Sequence, residues 1–413
     1  MADTAAHLVD RVFPIVPVRQ WVLSLPFALR YRLAYDAGLT TDVLNVFIRT
    51  LFGELRGRAE RILGFGSSKC GAVTFIQRFG GALNLNLHFH SMVIDGVYAA
   101  GDDGRPRFHR LPAPEDDEIL RLTTRVAERI QSLLARKGLS AEAADPEQAD
   151  PLSRDDPGMA ALLASSVAGR IGVGPDAGNR VSRMGDWIDP DRTDAFASDR
   201  CGMVSGFSVH ANVQIEARDR MRLERLLRYA ARPAVSTDRL SELADGRLHY
   251  RLKRPWRDGT TAVIFERQDF IAKLSALVPA PRAHLIRYHG VLGPAARWRP
   301  LIVPGGHVAG SRSEAPSQAK SGAEPSKEPT TAPLTDSEPC LSLHDRNYTW
   351  AELMKRVFLL DVLQCERCGG RMKILAAIRP PVLTVRILES MGLPSRAPPV
   401  APASQLNWNV ELF

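Results

Sequence analysis

The stretch AVTFIQRFGGALNLNLHFHSMVIDGVY, residues 72–98, decides how the rest of the sequence is interpreted. Two runs rich in β-branched and aromatic residues flank the turn GGALN, a pattern typical of neighbouring antiparallel strands. Side chains alternate across a strand, so His88 and His90 are expected on one face and Phe89 on the other. Same-face neighbours are about 6.5 to 7 Å apart, which allows both imidazoles to reach one cation.

The two histidines predict a metal site, but a short H-x-H pattern leaves a second interpretation open. Two imidazoles leave coordination positions free, as Lewis-acid polarisation of a phosphate requires. Gln77 and His210 are the candidates for a third ligand, each on an adjacent strand-like segment. The alternative is two surface histidines on an edge strand, with Gln77 and His210 as ordinary hydrogen-bonded polar side chains.

Hydrophobic periodicity predicts an α+β fold with an antiparallel sheet and flanking helices. Residues 1–65 form a helical N-terminal region, because WVLSLPFALRYRLAYDAGL and TTDVLNVFIRTLFGELRGRAERIL space their apolar residues by three and four. Residues 66–303 form the main domain, with a surface insertion around 139–200 that carries a short helix near Met159–Val167. Inside the main domain we expect a helix at 117–137, a strand at 206–217, a helix at 219–231, a second helix opened by Ser236 and Thr237, and a hairpin at 247–266 with Asp258 and Gly259 in its loop.

The last hundred residues divide into a linker and a small separate module. Residues 304–345 are mostly Gly, Ser, Pro, Ala, Thr, Lys and Glu, so a disordered linker is expected there. Residues 346–413 regain apolar periodicity and contain CERCGG. Cys365 and Cys368 have the spacing of a zinc knuckle, with Cys340 and His344 as the residues that would complete it; free thiols are the alternative.

Composition restricts the class of protein and of partner. The 413 residues are 45% hydrophobic and 24% charged, which is ordinary for a folded protein. Lys and Arg number 54 against 46 Asp and Glu, a net charge of +8 that favours a polyanionic partner or serves solubility alone. Five cysteines without a disulfide pattern indicate a reducing compartment, and the sequence predicts neither a secretory leader nor a membrane-spanning segment.

A tyrosine in ERLLRYAARP is the candidate nucleophile for phosphodiester chemistry. On a helical wheel Leu223, Leu226, Leu227 and Ala230 form the buried stripe, and Tyr229 falls on its flank. Arg222 and Arg225 lie along the same edge, where a phosphate approaching the phenol would meet them. Taken alone, a tyrosine at this position is ordinary core material, and the catalytic interpretation depends on the two histidines.

Further basic residues are candidates for a DNA-binding path. They are Arg228 beside the tyrosine, Lys253, Arg254 and Arg257 in the hairpin, and Arg287 with Tyr288 and His289 in LIRYHGVL. Cations with interleaved aromatic rings can pair phosphates and stack bases. A solvated basic face is the alternative explanation.

Five blocks in this order, LNLHFHSMVIDGVY, GFSVHA, ERLLRYAARP, YRLKRPWRDGT and LIRYHGVLGP, resemble the rolling-circle transposases of the IS-ninety-one and common-region insertion sequences. The similarity runs from about Ala5 to Pro304 and resumes in CERCGGRMKILAAI. The resemblance implies an HUH-type endonuclease fold that cuts single-stranded DNA with Mg²⁺ or Mn²⁺. It makes His88 and His90 the metal ligands and Tyr229 the attacking residue, leaving a 5′-phosphotyrosine link and a free 3′-hydroxyl.

The sequence departs from that family's pattern in three places. Arg225 stands where two-tyrosine members have their first tyrosine, so the single-tyrosine branch is expected. Members carry an N-terminal Cys/His-rich zinc module, and this sequence starts just after its expected end, which predicts a shortened gene. The linker is also longer than is typical of the family.

The resemblance implies that the partner is single-stranded DNA of the element ends and of the target, and that no membrane is involved. It also implies a location in the bacterial cytoplasm, associated with the nucleoid. Whether the protein forms homo-oligomers stays open. Two rival functions remain at this point. One is a plasmid replication initiator or relaxase, which uses the same chemistry at a replicon origin. The other is a truncated, inactive remnant that only binds DNA.

Overall fold

The computed structural model describes residues 1–139, 150–185, 199–256, 258–304, 348–374, 381–393 and 395. Its helices are α1 (Ala2–Arg11), α2 (Phe27–Tyr35), α3 (Ala37–Leu63), α4 (Asp116–Arg136), α5 (Pro151–Asp155), α6 (Pro157–Val167), α7 (Arg220–Ala230), α8 (Arg267–Leu277), α9 (Arg299–Ile302), α10 (Trp350–Phe358) and α11 (Pro381–Ser390). Its strands are β1 (Val18–Ser24), β2 (Ser68–Lys69), β3 (Gly71–Phe79), β4 (Leu85–Ile94), β5 (Gly96–Ala100), β6 (Pro106–Arg110), β7 (Ser182–Gly185), β8 (Cys201–Val204), β9 (Phe207–His210), β10 (Gln214–Ile215), β11 (Leu240–Glu242), β12 (Leu248–Arg251), β13 (Thr260–Phe265) and β14 (Ile286–Gly290).

A central antiparallel sheet organises the molecule and confirms the α+β prediction. Its strand order is β14-β3-β4-β1-β9-β8, and β10 also pairs with β1. Two smaller sheets, β11-β12-β13-β7 and β2-β5-β6, stand beside it. The pairings within all three sheets are antiparallel.

The hairpin of β3 and β4 has the predicted turn and fixes the register of the histidines. The amide of Gly80 donates to the carbonyl of Asn84 at 2.8 Å, which closes the turn. In this register His88 lies opposite Gln77, and His90 lies opposite Phe75. Since directly opposed residues share a face, these four side chains lie on one side of the sheet.

The two faces of the central sheet bury different helices. Side chains such as Leu23, Phe89 and Val209 pack on one face beneath α2, α3 and α4. The other face buries Phe75 and Met92 beneath α1 and α7. His88 and His90 lie on the opposite face from Phe89 and on the same face as Met92. Both histidines therefore face α1 and α7.

The helical prediction for the start of WVLSLPFALRYRLAYDAGL is wrong, because residues 18–24 form β1 in the middle of the sheet. This strand is buried on both faces, including Arg19 and Gln20, which are 2% and 1% exposed. Arg19 tolerates burial because its Nε and Nη2 donate to the two carboxylate oxygens of Asp95 at 2.8 and 2.9 Å. The ion pair therefore permits Arg19 to occupy a central strand, whereas Gln20 has His90 as its partner.

Two further element predictions differ from the structure. The expected second helix at Ser236 and Thr237 is a single 3-10 turn, Thr237–Arg239, which leads directly into β11. The expected single strand over 206–217 is two short strands, β9 and β10, that pair with different parts of β1. The break between them begins at Ala211, whose carbonyl accepts from Arg19 at 3.0 Å.

The other predicted elements are confirmed. Helix α4 begins with a capping box at Glu115 and stops before Gly138, whose φ is +67°. Helices α6 and α7 and the β12–β13 hairpin occupy the expected residues. The predicted linker at 304–345 lies almost entirely outside the described residues, as do parts of the predicted insertion.

Helix α10 of the C-terminal segment contacts the helices on the histidine side of the sheet. Arg356 donates from Nε to Glu224 of α7 at 2.6 Å and from Nη2 to Asp10 of α1 at 2.8 Å. Tyr348 donates to the same aspartate at 2.5 Å. Within the described part of the chain, no helix is both long and apolar enough to cross a membrane.

Candidate active site

The two histidines of β4 lie side by side as the alternation of the strand predicts. Their ring centroids are 4.8 Å apart, with the ring planes at 62°. His90 is 8% exposed, and His88 is partly buried. The pair therefore stands at the edge of the core and not on a free surface, which disfavours the alternative of two solvated histidines.

Both imidazoles have a hydrogen bond at Nδ1. His88 Nδ1 is 2.8 Å from the carbonyl oxygen of Asn86, which can only accept, so this nitrogen carries the proton and Nε2 keeps its lone pair. His90 Nδ1 is 2.7 Å from the side-chain amide of Gln20. A histidine that donates its second N–H to a carbonyl is the usual arrangement of a metal ligand.

The amide of Gln20 can support the same state of His90. The Gln20 Oε1 atom is buried and has no hydrogen-bond partner, while Nε2 faces His90. Oxygen and nitrogen of such an amide exchange places by a half rotation. When the Gln20 amide is rotated so that Oε1 faces the ring, Oε1 accepts a hydrogen bond from Nδ1–H of His90. Both imidazoles then present Nε2 as the atom that can bind a metal.

The surroundings keep the imidazoles neutral. Burial, opposed by the hydrogen bond to Asn86 and assisted by the positive charges of Arg30 and Arg232, lowers the pKa of His88 to about 4. Burial, followed by the charges of His88 and Arg232, holds the pKa of His90 well below its usual value. Neutral imidazole is the form that binds a metal.

The two candidates for a third ligand have different positions. Gln77 faces His88 across the β3–β4 ladder, but its Nε2 donates to the carbonyl of Ala230 at 2.7 Å. His210 lies on β9, which neighbours β1 and not β4, so the prediction that it lies on an adjacent strand is wrong. Val22 stands between His210 and His90, and two strand spacings put the histidine backbones about 10 Å apart.

Among the residues with described positions, no group of three or more His, Cys, Asp or Glu side chains is placed to hold a metal ion. The histidine pair with its hydrogen-bonded Nδ1 atoms therefore suits two of the ligands of a divalent cation. The remaining positions would be left to water, substrate oxygen or a residue outside this set.

Helix α7 ends at the strand residue that opposes His88. Leu223, Leu226 and Leu227 are buried against the histidine face of the sheet, as the helical wheel predicts. The bond from Gln77 to the carbonyl of Ala230 fixes the last turn of the helix to the residue that opposes His88. Tyr229, one residue earlier, is partly buried at the edge of this contact.

Two cations flank the ring of Tyr229. The guanidinium carbon of Arg232 and the Nζ of Lys253 each lie 4.6 Å from the ring centroid. Arg232 also lowers the pKa of both histidines, so its charge acts on the tyrosine and on the histidine pair together. The site thus combines a phenol, two neutral imidazoles and positive charge, which is a suitable environment for a phosphate.

The remaining six tyrosines of the chain are less suited to act as nucleophiles. Burial raises the pKa of Tyr31, Tyr35, Tyr98, Tyr288 and Tyr348. Tyr31, Tyr35 and Tyr348 also donate to carboxylates. The hydroxyl of Tyr250, which is 0% exposed, lies 2.6 Å from Arg239. Tyr229 differs from these six because one of the cations beside its ring, Arg232, also lowers the pKa of both histidines.

The other predicted DNA contacts fall into two groups. Arg222 and Arg225 are exposed on α7, and Arg228 is within 3.7 Å of Glu224 on the same helix. Lys253, which lies beside the ring of Tyr229, and Arg254 are exposed on the loop after β12, whereas Arg257 lies outside the described residues.

Arg287 and His289 are separated from this site. They oppose Thr74 and Ala72, which face the α3 side of the sheet, away from the two histidines. The Nε2 atom of His289 is buried without a partner, and burial together with Arg287 lowers its pKa to about 4.

Sequence reasoning missed two residues of the site, Gln20 and Arg232. Gln20 was missed because the sequence around it predicts a helix, although its β-branched and aromatic residues Val18, Trp21 and Val22 are also compatible with a strand. Arg232 lies in the quoted ERLLRYAARP block, three residues after Tyr229, but beyond the end of α7. Its position near the histidines depends on long-range packing that local periodicity does not show.

The C-terminal cysteines form the turn expected of a knuckle. Backbone hydrogen bonds from Cys368 and, with a smaller effect, from Arg367 lower the pKa of the Cys365 thiol. The Cys365 amide donates to the carbonyl of Gly370 at 2.9 Å, which closes the turn. Cys340 and His344, the predicted remaining ligands, lie outside the described residues, so zinc binding stays a prediction.

Comparison with known proteins identifies one family. A family model described as "Putative transposase" (Y2_Tnp) matches residues 71–298, which is more than half of the chain and includes both histidines and Tyr229. No curated protein and no solved structure matches the chain.

Proposed function

This chain belongs to the transposase family whose model matches residues 71–298, and from that membership we propose that it cuts and rejoins single-stranded DNA through Tyr229. Family membership makes it a DNA-processing enzyme of transposition that binds DNA. The finer proposal adds the chemistry: the phenol attacks a phosphodiester beside a divalent cation held by His88 and His90. The observation that carries it is the shared position of the tyrosine, the two neutral imidazoles and Arg232.

The reaction that we propose conserves the energy of the phosphodiester. The Tyr229 Oη forms a bond to phosphorus, and the bond from phosphorus to the 3′ oxygen breaks. The phenol loses its proton, and the departing 3′ oxygen gains one, so that a 5′-phosphotyrosine and a free 3′-hydroxyl result. Attack of a 3′-hydroxyl on the phosphotyrosine reverses these changes and joins the strand to a new end.

The residues of the site have separable tasks. Arg232 and Lys253 place positive charge beside the ring, where the phosphate oxygens would lie during the attack. Gln20 and the carbonyl of Asn86 orient the imidazoles, and Gln77 fixes the last turn of the tyrosine helix. A bound Mg²⁺ or Mn²⁺ would polarise the scissile phosphate.

A cleft beside the site is suited to the DNA strand. It has a volume of about 580 Å³ and is lined mainly by apolar groups, with Gln77 and Arg232 among its residues. Its wall includes Phe75, Phe79 and Pro233, which offer apolar surface to a base next to the scissile phosphate. The cation of Arg232 lies at the border between this cleft and the ring of Tyr229.

The test is a covalent adduct between protein and DNA. Purified chain and Mn²⁺ are incubated with single-stranded DNA from the ends of the element that flanks the gene, labelled at its 3′ end. We expect an SDS-resistant band that carries the label with wild type and with Tyr288→Phe, and no band with Tyr229→Phe or without metal. A band that persists in Tyr229→Phe would refute the assigned nucleophile.

The rival functions predict other results. An inactive remnant binds the same DNA and forms no adduct under any condition. A replication initiator or relaxase forms the adduct with an origin sequence and not with the element ends, while the family match favours the transposase.

A further inference from the structure

A separate cleft, which is basic, lies at the far end of the central sheet. It has a volume of about 330 Å³ and lies between α3, β2 and the segment that follows β14. Four cations surround it, and they are Arg49, Arg56, Lys69 and Arg297. All four are exposed, so their charges face solvent and any ligand that enters.

The positive charge of this cleft is not matched by nearby acids. Among the described residues, none of the four cations has a carboxylate within 4.0 Å, whereas many other arginines do. The acid on α3 beside them, Glu54, is already paired with Arg61 and Arg125 at 3.4 and 2.9 Å. Cations that converge without a counter-charge repel each other until an anion joins them.

A buried hydroxyl provides an independent indication of a ligand. Ser68 lines the cleft and is only 7% exposed, and its Oγ has no hydrogen-bond partner in the described structure. Buried hydroxyls nearly always have partners, and the hydroxyl hydrogen can rotate to suit an acceptor. A phosphate oxygen is an acceptor of the right kind to complete this group.

Aromatic rings stand beside the cations. The Nζ of Lys69 lies 4.3 Å from the ring centroid of Trp298, and Phe52 forms part of the same wall. Cations interleaved with aromatic rings can bind the phosphates of a strand and stack its bases. We propose that this cleft binds a phosphate of a nucleic-acid strand at a site separate from Tyr229.

The end of β14 packs closely against Cys70, which fixes where the cleft lies along β3. Gly290 has φ +59°, and a Cβ there would lie 2.0 Å from the carbonyl oxygen of Cys70. This close approach brings the segment with Arg297 and Trp298 against β2. From Cys70 to Gln77 the strand rises seven residues, about 23 Å, so one phosphate cannot occupy both sites.

The test measures binding of fluorescein-labelled single-stranded DNA by anisotropy over a range of salt concentrations. The full chain is compared with Lys69→Gln/Arg297→Gln and with the charge-matched control Arg121→Gln/Arg136→Gln, whose arginines are exposed on α4. A plot of the logarithm of the binding constant against the logarithm of the salt concentration has a negative slope. Each lost phosphate contact reduces the magnitude of this slope by about 0.7, which corresponds to an affinity about fivefold weaker at 0.1 M salt. We expect this loss in the first double variant and none in the control.

A second arm distinguishes the source of the phosphate. Inorganic phosphate and deoxythymidine monophosphate are titrated against the full chain and against Lys69→Gln/Arg297→Gln. Weak binding of either compound, together with the lowered DNA slope, identifies a strand phosphate. If the double variant has the same salt slope for DNA as the full chain, the strand assignment is overturned. This holds whether or not the free compounds bind to the cleft.

The test stays independent of the proposed nuclease activity. Lys69→Gln/Arg297→Gln changes no residue of the tyrosine site, so the Tyr229-dependent adduct should persist on saturating DNA. Far-UV circular dichroism and the melting temperature show whether the variants remain folded. Replacing Ser68 by Ala gives a third readout, because it removes the unpartnered hydroxyl without a change of charge.

Discussion

The ion pair of Arg19 and Asp95 is a buried charged link between β1 and the residue that follows β4. The two side chains are 2% and 7% exposed, and two hydrogen bonds of 2.8 and 2.9 Å join them. Replacing Asp95 by Ala leaves the guanidinium of Arg19 buried, with only the Ala211 carbonyl and the Gln214 side chain as acceptors. Removing one partner of a buried pair costs about 3 to 5 kcal/mol.

An exposed pair provides the control for this prediction. Arg110 and Glu216 are 2.7 Å apart, but their side chains are 52% and 62% exposed. Replacing Glu216 by Ala should therefore cost about 0 to 1 kcal/mol. Urea unfolding followed by circular dichroism and tryptophan fluorescence measures the two midpoints under the same conditions.

A double variant shows whether the cost comes from the uncompensated charge. Arg19→Met with Asp95→Ala removes both charges, and it should be more stable than Asp95→Ala alone. Equal midpoints for Asp95→Ala and Glu216→Ala would refute the buried-pair reasoning. No recovery in the double variant would refute the assignment of the cost to the charge of Arg19.

Three further predictions concern the site and its support. Gln20→Ala should weaken Mn²⁺ binding about 10- to 100-fold by calorimetry because His90 loses its orienting partner, and unchanged binding would contradict this role. The folded pKa of His289 near 4 is below its unfolded value of about 6.5, so its stabilising effect is present above pH 6.5 and is lost as the pH falls towards 4. His289→Leu should accordingly flatten the fall in urea midpoint between these pH values, and an equally steep fall would exclude this group as a cause. Arg356→Met should raise hydrogen exchange in α10, because the bond to Glu224 is lost; unchanged protection would show that other contacts hold the helix.

Local patterns in the sequence were sufficient for elements whose partners are near in the chain. The β3–β4 hairpin, α4, α7 and the β12–β13 hairpin follow from alternation, helical stripes and turn residues. The prediction that His88 and His90 share a face follows from the two-residue period of a strand alone. The flank position of Tyr229 likewise follows from the helical wheel.

Elements that depend on distant partners could not be predicted in this way. Strand β1 contains Arg19, whose burial makes sense only with Asp95, a residue 76 positions away. The place of His210 depends on the order of strands in the sheet, which puts β1 between β9 and β4. Arg232 reaches the histidines because the chain turns after α7, and no periodic pattern encodes that turn.

The most direct test of the central claim identifies the residue that becomes attached to DNA. The adduct formed with Mn²⁺ is digested with nuclease and trypsin, and the modified peptide is sequenced by mass spectrometry. Cleavage after Arg228 and Arg239, with the Arg232–Pro233 bond resistant, gives a peptide over residues 229–239 with Tyr229 as its one tyrosine. The account predicts a nucleotide phosphate on this tyrosine; attachment at any other residue, or no attached residue, would contradict it.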